Sequence, residues 1–139
     1  MLDADGQHDP GELPRFVEAF DGGAAELVIG NRMEETGAMP LIRVLTNRAT
    51  SAVISLIAGQ RVADTQNGYR LAGRGLLERI DLATNRYEIE SELIIKASRA
   101  GARIASIPVT AIYGRERSAI NPVRDALGVL SLVFRSFFW

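Results

Sequence analysis

Apolar residues recur at helical spacing over several long stretches of this chain and gather into short strand-length runs between them, with Gly or Pro at most of the changes. Such an order reads as helices alternating with short strands. Asp9-Pro10-Gly11-Glu12 predicts a helix opening, with Asp9 as N-cap, Pro10 at the first helical position and Glu12 three residues after the cap. That helix is expected over 9–20 and stops at Asp21-Gly22-Gly23; a short strand over 26–29 follows and ends at Gly30-Asn31. Residues 32–40 read as a loop. From 41 to 58, Leu41, Leu45, Ala49, Ala52, Val53, Leu56 and Ile57 set a helical period that Gly59 closes. Residues 64–70 form a polar turn, 75–80 a short helix, and 88–100 a second long helix ended by Gly101. A strand is expected over 103–113, with Pro108 implying an edge or a bulge, then a basic loop over 114–121 and a last helix over 122–138. No internal repeat or low-complexity tract is present.

A chain of 139 residues buries roughly two-thirds of its unfolded surface, enough for one core. The balance of 16 Lys+Arg against 17 Asp+Glu gives no electrostatic footprint for nucleic acid, which is therefore not expected as a partner. With no cysteine, disulfides, thiolate zinc sites and a cysteine nucleophile are all excluded. Met1 to Gly6 has neither the basic leader nor the apolar core of a secretory signal, so a cytoplasmic location is expected. The most apolar stretch is read at 126–134, nine uncharged residues where a span needs about 20, so no bilayer crossing is expected.

Asp3 and Asp5 flank one alanine at an expected strand end, where residues two apart point to the same side. Two carboxylates converging in this way suit a hard divalent cation, Mg2+ or Mn2+, with Gln7 spaced to join and His8 able to add a nitrogen for Mn2+. The bland reading of the same residues is capping and loop solvation. Arg32, Arg43, Arg70, Arg115 and Arg117 all lie in or beside expected loops, and arginine is the side chain suited to bidentate phosphate binding. Arg74, Arg79, Arg99 and Arg103 read as ordinary surface residues.

Asp3-Ala4-Asp5-Gly6-Gln7-His8-Asp9-Pro10, Gly30-Asn31-Arg32, Pro40-Leu41-Ile42-Arg43, Asp64-Thr65-Gln66-Asn67-Gly68-Tyr69-Arg70, Tyr87-Glu88-Ile89-Glu90 and Ile107-Pro108-Val109 occur in that order. Together they resemble the family 2 glycosyltransferases, in the branch similar to dolichyl-phosphate mannose synthase and bacterial polyprenyl-phosphate glycosyltransferases. The resemblance implies an α/β, GT-A-like fold and inverting transfer of a sugar from a nucleotide-sugar donor to a lipid-linked phosphate. It places Asp3, Asp5 and Gln7 on the cation and Asp5, Arg32, Arg43 and Asp64 in the catalytic set. Arg32, Arg43, Arg70, Arg115, Arg117 and Ser118 would contact substrate, with 115–118 resembling a mobile basic acceptor loop that here lacks its usual lysine. It also implies only the second half of such an enzyme, over 1–121, followed by an amphipathic helix over 122–139. The nucleotide-binding half would then come from elsewhere, for example from a partner chain.

A phosphate acceptor is chemically reasonable on separate grounds: with a second pKa of about 6 it is already ionised and needs no strong base. A hydroxyl acceptor would need one, and Asp64 or Glu90 would be the candidates. In the last helix Val123, Leu127, Leu130, Phe134 and Phe137 share a face that either packs on the sheet or rests on the inner face of a membrane, with Arg124 and Arg135 near headgroups. Two other classes compete with the enzyme reading. One is a non-catalytic remnant or binding module of the same fold. The other is a haloacid dehalogenase-type phosphohydrolase, in which the ordered arginine motifs have no place.

Overall fold

The structure, a computed structural model, describes residues 8–23, 25–34, 36–37, 39–83, 88–110, 112, 131, 133–135 and 138. A three-stranded sheet forms its centre, with strands β1 (Leu27–Asn31), β2 (Arg70–Ala72) and β3 (Ile104–Pro108) in the order β2-β1-β3. β1 runs antiparallel to β2, Val28 opposite Leu71, and parallel to β3, Leu27 opposite Ile104 and Asn31 opposite Pro108. Every residue of β1 is buried, as expected of a central strand covered on both faces.

Alternation along β1 divides the core in two. Val28 points to one face with Phe16, Ala25, Tyr69 and Val109, beneath helix α1 (Leu13–Asp21). Leu27 and Ile29 point to the other, with Ile54 of helix α2 (Leu41–Ala58) and Leu93, Ile94 and Ala97 of helix α4 (Glu88–Arg99). The helix α3 (Arg74–Leu77) adds Leu76 to this side. The result is a mixed α/β arrangement of α1, sheet, and an α2–α4 layer.

Local chemistry sets the ends of these elements. Asp9 caps as the sequence predicts, its carboxylate accepting from the Gly11 amide at 2.8 Å, although the first turn, Pro10–Glu12, is a 3-10 helix and α1 proper starts at Leu13. Gly59 and Gly101 close α2 and α4 at φ 70° and 74°, the left-handed region in which a side chain is strained. The strand expected over 103–113 is shorter, and Pro108 ends it at the sheet edge. β2 was not predicted: three residues behind a polar turn, opening on a buried arginine, show no strand alternation.

The residues that set the apolar period of α2 are mostly not the ones it buries. Val44, Asn47, Thr50, Ser51 and Ile54 are its buried residues, while Leu41, Leu45, Ala49, Ala52 and Leu56, five of the seven residues that set the apolar period, are exposed. Polar groups lie inward because this face meets the 62–65 segment: Ser55 Oγ bonds the Val62 carbonyl and Ser51 Oγ receives the Thr65 amide. By length and composition alone α2 is also apolar enough to cross a membrane, although 28% of that window is buried within the fold. Of the expected last helix, Ser131 and residues 133–135 are helical and Phe138 lies in a turn; the rest lies outside the described residues.

Tyr69 ties α1 to the sheet. Its ring stacks on Phe16 with centroids 4.2 Å apart, and its hydroxyl donates to the Asp9 carbonyl at 3.3 Å. Burial, reinforced by the carboxylates of Glu12 and Asp9, raises its phenol above the ordinary 10.0. The folded protein therefore holds this proton more tightly than the unfolded chain. The stability so contributed is fully present below pH 10.0 and is lost as pH rises through the raised folded value. The melting temperature, followed by circular dichroism, is expected to fall more steeply above that pH in the wild type than in Tyr69→Phe.

Candidate functional site

β1 and β3 are parallel, and their carboxyl ends, at Asn31 and Pro108, lie side by side, joined by a 3.0 Å bond from the Val109 amide to the Asn31 carbonyl. The carboxyl end of parallel strands is where open α/β sheets bind ligands. Two of the sequence motifs meet there, Gly30-Asn31-Arg32 leaving β1 and Asp64 to Arg70 entering β2.

The contact between them is a buried ion pair. Asp64 is fully buried and Arg32 is 7% exposed. Arg32 Nε donates to Asp64 Oδ2 at 2.7 Å and Arg32 Nη2 to Oδ1 at 3.0 Å, a bidentate fork. The Arg32 amide adds a third bond to Oδ2 at 3.2 Å, and the Gln66 amide donates to Oδ1 at 3.3 Å. The Asp64 carboxylate thus fixes the chain leaving β1 and starts its own turn.

Asn67 and Arg70 of the turn are used internally. Asn67 donates to the Gly30 carbonyl at 2.8 Å and accepts from the Tyr69 amide at 3.0 Å. Gly30 is required by this approach, since a Cβ there would lie 2.7 Å from Asn67 Nδ2 and 2.9 Å from Val109 Cγ2. Arg70 is 2% exposed and donates to the carbonyls of Asn67, at 2.7 Å, Thr65, at 2.8 Å, and Glu90. Its Nη2 also lies 3.6 Å from the Glu90 carboxylate. In this geometry Arg70 braces the turn from within.

Arg43 differs from these arginines: it is half-buried in the first turn of α2 and forms no ion pair among the described residues. Asp3, Asp5, Gln7, Arg115, Arg117 and Ser118 lie outside the described residues, as do Tyr87 and Arg86. Among the described residues no three His, Cys, Asp or Glu side chains group as a metal site. His8 is buried, its ring 5.3 Å from that of Tyr69. Arg74 and Arg79, read as ordinary surface residues, pair with Glu78 and Glu26.

Sequence reasoning missed three supporting groups. Ser51 and Thr65 share a hydroxyl contact at 3.1 Å that fastens α2 to the turn. Glu92, fully buried, receives the Ala83 amide at 2.9 Å and pairs with Lys96 at 2.7 Å. The Glu92–Lys96 spacing of four on a helix was the available signal. An apolar cavity of about 210 Å3 lies beneath β2, lined by Arg70, Ala72, Leu77, Leu82, Ile89 and Leu93.

The mixed α/β structure with its small sheet fits a glycosyltransferase-like fold, and sequence comparison points the same way. The chain is 32% identical over 117 residues to the UDP-N-acetylglucosamine–dolichyl-phosphate N-acetylglucosaminyltransferase of Methanococcus voltae, covering 81% of this chain and 47% of that enzyme. It is 34% identical over 115 residues to the undecaprenyl-phosphate mannosyltransferase of Micrococcus luteus, covering 78% and 46%. The polyprenol monophosphomannose synthase of Mycolicibacterium smegmatis is 32% identical over 115 residues, covering 78% and 43%. No family model matches the chain. The chain spans about half the length of the curated relatives it matches. The motif resemblance holds: the chain is a relative of the family 2 glycosyltransferases of the dolichyl- and polyprenyl-phosphate branch.

Asp64→Asn should expose how much the fold depends on the ion pair. Leaving the Arg32 charge buried without its carboxylate is expected to cost about 3–5 kcal/mol in a urea titration. Replacing both partners, as Arg32→Met with Asp64→Leu, is expected to cost less than that single change.

Proposed function

We propose that this chain carries the acceptor side of a GT-A glycosyltransferase that moves a sugar from a nucleotide-sugar donor onto a polyprenyl or dolichyl phosphate, with inversion. One observation carries the choice of acceptor. The two carboxylates that could serve as general base are both engaged by arginines, Asp64 in the bidentate pair with Arg32 and Glu90 beside Arg70. An arginine-rich site whose carboxylates are so held suits a nucleophile that needs no deprotonation, and a phosphate monoester is one. The names of the relatives point the same way, to dolichyl phosphate, undecaprenyl phosphate and a polyprenol.

In the proposed reaction a phosphate oxygen attacks the anomeric carbon on the face opposite the donor diphosphate. A new carbon–oxygen bond forms to the lipid phosphate. The bond to the diphosphate breaks and the nucleoside diphosphate leaves with that electron pair, no proton being removed. The barrier is the approach of one anion to another, which fixed positive charge lowers. Arg43, with Arg115, Arg117 and Ser118, is assigned to the phosphates. Arg32 and Asp64 hold the strand exit and turn behind them, and Arg70 braces the turn.

The donor set of Asp3, Asp5 and Gln7 consists of hard oxygens that suit Mg2+ or Mn2+. Bound there, the ion would supply charge neutralisation on the departing diphosphate. Residues 1–121 are assigned to the transferase domain and 122–139 to an amphipathic helix, with the protein peripheral on the inner face of the membrane.

Calorimetric titration of the chain with UDP-N-acetylglucosamine and GDP-mannose, with and without Mn2+, tests the reading. Binding that needs the metal and is lost in Asp3→Asn with Asp5→Asn is expected. No donor binding by a chain shown to be folded would overturn catalysis by this chain and favour a binding module. In a transfer assay with polyprenyl phosphate, Arg43→Ala is expected to lower turnover by about a hundredfold with the melting temperature unchanged.

A further inference from the structure

α2 buries Val44 and Ile54 yet leaves its leucines on the outside. On a helical projection its exposed residues fall in one continuous strip: Leu41, Ile42, Leu45, Ala49, Ala52 and Leu56, with Arg48 at one margin. Leu41 is 73% exposed and Leu56 83%. From Leu41 to Leu56 the strip runs about 22 Å at 1.5 Å per residue. The opposite side carries Asn47, Thr50 and Ser51, buried and directed at the core. An exposed apolar strip of this length marks a surface that is covered in use.

Two observations point to what covers it. The only charged residues of α2 are Arg43 and Arg48, and Arg61 follows, so the helix has basic groups and no carboxylate. That charge complements an anionic surface and repels a basic one. The inner side is also fastened to the fold through Ser51 and Thr65, and through Ser55, whose hydroxyl accepts the Val62 amide at 2.9 Å. The helix therefore cannot be surrounded by lipid, although its length and composition suit a span. An apolar strip with basic residues, held by the core on its other side, matches a helix lying in the plane of a membrane interface.

We propose that the outer face of α2 docks on an anionic phospholipid surface and so holds the strand-end site at headgroup level. This deepens the proposed reaction by naming the element that would bring the site to a lipid-linked phosphate, yet it rests on the exposure and charge of α2 and is tested without donor or acceptor. The chain has no native cysteine, so one introduced cysteine can carry an environment-sensitive fluorophore.

Flotation of the full chain with vesicles of phosphatidylcholine and phosphatidylglycerol at about 3:1, free of polyprenyl phosphate, is expected to recover the protein, and added salt to weaken recovery. Leu45→Glu with Leu56→Glu should lower partitioning by at least about tenfold, while Phe134→Glu with Phe138→Glu, on the exposed C-terminal rings, should retain most of it. A nitrobenzoxadiazole label at Ala52→Cys should shift to the blue on these vesicles, and the same label at the exposed Glu78→Cys should not. This second readout stands even where the glutamate variants fail to fold. Unlabelled wild type that ignores the vesicles, a label at position 52 that stays in water, or a strip shown by sedimentation to join two copies of the chain would each overturn the proposal. Because no sugar donor is present, failure here is separate from failure of glycosyl transfer.

Discussion

A carboxylate removed from water is costly unless charge and hydrogen bonds replace the lost hydration, and Asp64 imposes that condition on the centre of this fold. Arg32 meets it with two parallel bonds, and the amides of Arg32 and Gln66 occupy further lone pairs. Both amides belong to backbone that must then stay where the carboxylate holds it. The exit of β1 and the entry to β2 are thus set by one side chain, and pairing of the two strands follows over Leu27–Ile29 and Arg70–Ala72. Arg70 repeats the principle with charges reversed: a guanidinium buried beneath the turn is satisfied by carbonyls of Asn67, Thr65 and Glu90, so α4 is joined to the same centre.

The outward apolar strip of α2 is a consequence of this polar centre. A helix laid over the 62–65 segment must offer hydroxyls to it, and Ser51 and Ser55 do so. With those positions directed inward, the 100° step of the helix sends Leu41, Leu45, Ala52 and Leu56 outward. The exposed apolar strip is therefore tied to the chemistry of the site. A leucine could not take the place of Ser51 without leaving the Thr65 amide unsatisfied in a buried position.

This is also where the sequence was misleading. Capping by Asp9, the stop at Gly59 and the length of α2 were legible because each follows from local chemistry within a few residues. Which face of α2 is buried was not, because apolar residues lie on both sides of the helix and the inner side, with Val44 and Ile54, also carries Asn47, Thr50 and Ser51. Gly30-Asn31-Arg32 and the Asp64 to Arg70 run were legible as motifs at the strand ends. Their mutual bonding was not, since Arg32 and Asp64 are 32 residues apart and nothing in their spacing pairs them. Charge alone suggested arginines reaching outward to phosphate, whereas burial shows Arg70 bound to main-chain carbonyls and Arg32 to a carboxylate. β2 is too short for any periodic signal.

Neutralisation of Arg32 and Arg70 within the fold changes how positive charge is distributed at the strand ends. Their charges are balanced by Asp64 and Glu90 at 2.7 and 3.6 Å, so they contribute little field beyond the turn. Arg43 carries no such partner among the described residues and stands at the start of the helix whose outer face is apolar. An unbalanced cation is attracted to phosphate more strongly where water is scarce, because the local dielectric is lower than that of the bulk. Under the proposed docking of α2 the site would lie at such a depth, and Arg43 would face phosphates there with its charge undiminished. Under that docking the buried pair and the outward strip would serve one end: the first removes charge from where structure is needed, and the second would place the remaining charge beside a lipid surface.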